Sequence, residues 1–181
     1  CYDITKEPAE DYHMWIQLLP LGKLYNLPDV LLEYRVYSNQ VSRKRAEEQK
    51  KSDIAAKFKL LQYLNVEWTP IEREFLERQF GKTEIIAFKD LHIFKQIQLK
   101  LAKANESIQF FELHLFSQYL IDLEEDVLRK CFLKQKRYSP TMYFEYVIAK
   151  FKWNVKFSKK KELKLVLKSL IFWETQRKKH R

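Results

Sequence analysis

Two adjacent carboxylates, Glu10 and Asp11, follow Pro8 at the head of an apolar-patterned stretch. Proline with acids close behind it is a helix-opening signature, and it predicts a helix running to about Leu19 and stopping near Pro20 and Gly22. In a first turn the positive end of the helix dipole favours a charged carboxylate, and a charged carboxylate within hydrogen-bond reach of a hydroxyl can take its proton. First-turn acids also satisfy free backbone N–H groups, which gives the pair a purely structural alternative. One turn on, Trp15 offers a ring that either stacks on a ligand or packs beneath the helix. Arg35 carries a planar fork that suits phosphate oxygens, or it pairs with Asp29 or Glu33.

The remaining reactive residue types are scattered. His92, His114 and His180 have no partner at metal-ligand spacing, and Cys1 and Cys131 make neither a metal motif nor a disulfide framework. Two cysteines in 181 residues suit a reducing cytoplasm. Only Gly22 and Gly81 are glycines, where average usage is about 7%. Phosphate-cradling loops are built with glycine, so a nucleotide-binding half is not expected within this chain. No Gly-x-Gly-x-x-Gly, Gly-x-x-x-x-Gly-Lys or Asp-x-Asp run is present.

Over residues 1–44 the chain resembles the end of the catalytic domain of family 2 glycosyltransferases, a GT-A type, inverting class. The likeness lies in Glu10-Asp11-Tyr12 with Trp15, matching Glu-Asp-Tyr-x-x-Trp. It continues through Gly22-Lys23, Asn26-Leu27-Pro28, Val30-Leu31-Leu32 and Tyr34-Arg35, at the family's spacing. The resemblance implies that Asp11 is the base that deprotonates the acceptor, and that Glu10 positions the acceptor or its loop. It implies that Trp15 either meets a sugar or packs under the helix, and that Arg35 reaches the diphosphate if it does not pair with a neighbouring acid. It further implies a nucleotide-sugar donor, a glycan or lipid-linked acceptor, and a divalent cation (Mn²⁺ or Mg²⁺) in the full enzyme, with no cofactor expected in this chain alone. Bacterial polysaccharide, lipopolysaccharide or glycolipid assembly is the expected setting. The chain departs from the family pattern at His13, Gln17 and Tyr37; a tyrosine, with a pKa near ~10, is a poor ligand for a divalent metal at neutral pH.

These residues need elements to position them. After the first helix, residues 23–27 and 30–36 read as short strands, the last of a sheet whose other members are expected upstream. From about Ser42 the pattern turns helical. Ile54, Phe58 and Leu61 mark a helix over residues 42–65, and Thr69-Pro70 opens another that ends at Gly81. Ile86, Ile93, Ile97 and Leu101 continue the period, then Leu113, Phe116, Leu120, Leu123 and Val127. Ser139-Pro140 opens a helix with Phe144, Val147 and Phe151, and Leu163, Val166, Leu167 and Leu170 mark the last. The expected fold is therefore mostly α. A fragment of a GT-A type α/β domain, one helix and two short strands over residues 1–44, closes the catalytic domain. A helical accessory domain of five or six helices follows over residues 45–181, and the chain reads as a C-terminal fragment.

Charge is divided unevenly. Residues 129–181 carry 17 Lys and Arg against three acids, a net +14, within a total of +10. Such a segment points to an anionic partner, either a membrane surface or, in an alternative reading as a basic all-helical binding module without catalytic activity, nucleic acid. For the latter, Lys159-Lys160-Lys161 and Arg177-Lys178-Lys179 supply phosphate contacts, with Phe157, Phe172 and Trp173 for stacking. No run of ~18 apolar residues is present, so any membrane contact is expected to be peripheral, at the inner face of a cytoplasmic enzyme's membrane.

Overall fold

The computed structural model describes residues 8–33, 45–81 and 86–174. Over them run α1 (Glu10–Leu18), α2 (Ala46–Gln62), α3 (Pro70–Phe80), α4 (Asp90–Ile108), α5 (Leu113–Leu133), α6 (Pro140–Trp153) and α7 (Lys159–Leu170). The mostly helical expectation holds, and the starts marked by Thr69-Pro70 and Ser139-Pro140 fall where the sequence places them, while Pro8 lies just ahead of α1.

The expected strands are not seen. Among the described residues the only β pairing is an isolated antiparallel bridge between Arg137 and Glu174. Residues 23–27, and 30–33 of the second expected strand, are irregular backbone with every residue from 21 to 33 exposed. A strand persists only against a neighbouring strand that takes up its backbone hydrogen bonds, and no described segment offers these residues one. The rest of the second strand, Arg35 and Tyr37 included, lies outside the described residues.

The helices form two compact units. One holds α1, α2, α3 and the part of α4 from Ile97 onward; the other holds Ile86, the part of α4 up to Gln96, and α5 to α7. Within the first unit α1 packs on α2.

In the first unit, α1 turns Ala9, His13 and Ile16 inward, at i, i+4 and i+7, toward a core that includes Ala56, Leu64, Phe75 and Ile97. The start of α3 is a capping box. Glu72 N–H donates to Thr69 Oγ1 at 3.3 Å, Thr69 N–H donates to Glu72 Oε2 at 2.8 Å, and Pro70 takes the first helical position. The exit of α4 is fixed by Asn105, which is buried. Its Nδ2 donates to the Phe111 carbonyl at 3.0 Å, and its Oδ1 accepts the Phe111 N–H at 2.8 Å. Gln109 makes the turn with φ at 53°. Phe110 then stacks on Tyr63 with ring centroids 4.5 Å apart.

The second unit is built around Phe132. The ring of Tyr146 meets it edge-on at 5.6 Å and that of Phe157 at 6.3 Å, while Tyr146 and Phe157 stack in parallel at 5.1 Å. Tyr146 O–H donates to Glu162, which also accepts from Lys150 at 2.8 Å, and this ties α6 to α7. Phe144 and Phe151 on α6, and Leu163, Leu167 and Leu170 on α7, are exposed; Tyr146, Ala149, Leu165 and Ser169 are the buried positions. The aromatic cluster takes in Tyr146 of α6, and Phe144 and Phe151, offset from it on the helix, face outward.

Candidate functional site

The candidate residues of α1 are held by its inward face. His13 Nε2–H donates to the Ser52 carbonyl at 3.2 Å, and Tyr63 O–H donates to the Ile16 carbonyl at 3.1 Å, so α2 and the turn after it fix α1 from behind. His13 Nδ1 is buried without a hydrogen-bond partner. The sequence marks His13 as a departure from the family pattern; in the structure it is an anchor of α1. The signal available was its place between Ala9 and Ile16 on the inward stripe.

Asp11 and Trp15 stand four residues apart and therefore lie on the same side of α1, opposite the Ala9, His13 and Ile16 stripe. Asp11 is exposed, and its Oδ1 accepts the Tyr12 backbone N–H at 2.7 Å. Trp15 is 47% exposed, with part of its ring open to solvent. The core beneath α1 is filled by Ile16 and His13. Glu10 is half-buried and sits about a quarter-turn away from Asp11 on the helix wheel. The arrangement thus brings Asp11 and Trp15 together, sets Glu10 aside, and leaves Arg35 outside the described residues.

A carboxylate beside an exposed indole face can accept a hydroxyl proton while the ring carries the apolar side of a sugar. Among the described residues no three His, Cys, Asp or Glu side chains converge as a bound cation would need. His92 and His114 are exposed, and Cys131 is buried in the second unit, where burial, then the charges of Glu145 and Asp90, push its thiol up to about 12. A thiol so placed is no nucleophile at neutral pH.

The basic segment is also sorted by the structure. Phe157, proposed for base stacking, is spent on Tyr146, whereas Phe172 and Trp173 are open to solvent. No helix among the described residues is long and apolar enough to cross a membrane. No family model, no curated protein and no solved structure matches the chain.

Proposed function

We propose that this chain serves in a nucleotide-sugar-dependent glycosyltransferase, to which it contributes the base and part of the acceptor side for transfer of a sugar to a glycan or glycolipid. The observation that carries this reading is the shared exposed face of Asp11 and Trp15 on a helix anchored from behind by His13 and Ile16. In the reaction the acceptor oxygen attacks the anomeric carbon and the bond from that carbon to the diphosphate oxygen breaks. Asp11 takes the acceptor's hydroxyl proton as the new bond forms. Trp15 orients the acceptor by stacking on its ring. Donor binding belongs to residues outside this face.

The test is steady-state kinetics of the complete enzyme. Asp11→Asn lowers kcat roughly 10²-fold or more with donor affinity nearly unchanged, the usual scale for loss of a general base. Trp15→Ala raises the acceptor KM more than it lowers kcat. Both side chains are exposed, so neither change disturbs the core. Near wild-type turnover in Asp11→Asn would rule out the assignment and leave the basic, non-catalytic binding module as the better account.

A further inference from the structure

On α7 the inner face, Leu165 and Ser169, is buried within the second unit, while the outer face stays open. That outer face is neither uniformly apolar nor uniformly charged. Leu163, Leu167, Ile171 and Trp173 line a shallow groove of about 320 Å³, and lysines of the same helix border it. The helix's one acid, Glu162, is turned away, accepting from Tyr146 O–H and Lys150 Nζ, so it does not offset the outward charge. Lys161 pairs with Glu125 at 3.0 Å and Lys168 lies over the Tyr138 ring at 4.5 Å. Lys160 and Lys164 have no acidic partner among the described residues, and they flank the leucines on the outward side.

We propose that this outer face of α7, with the turn that follows it, docks on an anionic lipid bilayer. Leucine and isoleucine gain by entering the acyl boundary, and lysine stems reach past them to bring the ammonium groups to the headgroups. Phe172 and Trp173, both open to solvent, follow directly at the end of the helix, and aromatic rings of this kind favour the membrane interface. The net +14 of residues 129–181 is the complementary charge for such a surface. Nucleic acid fits less well. Phosphates would satisfy the lysines but give Leu163, Leu167 and Ile171 nothing to bury against, and Phe157 is already stacked on Tyr146. The inference does not depend on the role given to Asp11.

Co-sedimentation of the full chain with phosphatidylcholine vesicles, with and without phosphatidylglycerol, tests it. The expected result is binding only to the phosphatidylglycerol vesicles, released by high salt. Leu163→Glu with Leu167→Glu weakens it at least ~10-fold, since two buried apolar groups become charged. Lys160→Gln with Lys164→Gln weakens it roughly 25-fold, about fivefold for each lysine near the surface. Leu99→Glu, at an equally open leucine in the other unit, leaves it unchanged. Circular dichroism verifies that each variant is folded. Failure to pellet with anionic vesicles at low salt overturns the proposal, as does undiminished pelleting of the Leu163→Glu, Leu167→Glu variant. A gel shift with duplex DNA or single-stranded RNA at lower protein concentration than vesicle binding requires would likewise overturn it in favour of nucleic acid.

Discussion

One oxygen of Glu72, Oε2, receives both the Thr69 N–H, at 2.8 Å, and the Lys100 ammonium, at 2.6 Å. The carboxylate that closes the cap of α3 thereby also ties that helix to α4. Burial pushes this carboxyl up, but hydrogen bonds from Lys100 and Thr69 outweigh it and hold it below its ordinary value of 4.5. A lowered value in the folded state means that the contribution to stability is complete above 4.5 and is lost as the pH falls through the lowered value.

Glu72→Gln keeps an oxygen for the cap but removes the ion pair. The expected cost is about 1–3 kcal/mol at neutral pH, with a shallower loss of stability on acidification than in the parent. Urea unfolding followed above and below pH 4.5 measures both. Parallel acid limbs in the two proteins would show that the pair contributes nothing in the folded state.

Tyr146 has the opposite sign. Burial, then its hydrogen bond to Glu162, raises its hydroxyl from 10.0 to about 12. Stability associated with it is full below 10 and declines as the pH rises toward about 12, because only the unfolded chain ionises there. Tyr146→Phe keeps the stack on Phe157 and leaves Glu162 paired with Lys150, so it costs about 1 kcal/mol at neutral pH. It also removes part of the alkaline slope in urea unfolding.

Gln109 and Asn154 hold φ of 53° without being glycine. Left-handed backbone strains a side chain by roughly 1–2 kcal/mol, less for Asn. Gln109→Gly is expected to raise stability by about 1 kcal/mol and Asn154→Gly by about half that, after the added freedom of the unfolded chain is subtracted. Thermal unfolding of the two variants decides it.

Cys131 sits in the packed second unit with its thiol pushed up to about 12. In a Cys1→Ser background, a thiol-reactive dye at mildly alkaline pH is expected to leave it unlabelled. The rate should climb only as urea unfolds the chain. Labelling as fast as that of a free thiol would mean that the core around Phe132 opens far more readily than its packing implies.

What the sequence made legible was local. Thr69-Pro70 announces a helix start because its cap is made by residues three apart, and at Ser139-Pro140, where the serine side chain makes no cap hydrogen bond, the proline at the head of the helix marks the start. On α6 and α7 the apolar residues Phe144, Phe151, Leu163, Leu167 and Leu170 are exposed, since periodicity reveals that a face is apolar and not what covers it. The buried choice of Tyr146 over Phe144 depends on Phe132 and Phe157, which are distant in sequence. Residues 23–27 failed as a strand for the same reason, because a ladder is non-local. At the candidate site, the sequence marks Asp11 and Trp15 through the motif they share. Their common face follows from the four-residue spacing, whereas the anchoring of His13 by Ser52 required the fold of α2.

Residues 21–32 expose a run of apolar side chains that is open to self-association. Leu21, Leu24, Tyr25, Leu27, Val30, Leu31 and Leu32 are all open to solvent along irregular backbone, a sequence that another copy in solution can pair with. Pro28 interrupts the run and Lys23 guards its start, which slows such pairing without abolishing it. Repulsion from the net charge of +10 is the other defence, and salt weakens it. A charge introduced at exposed Leu31 would break the run and is expected to lower self-association at high salt, as light scattering would measure.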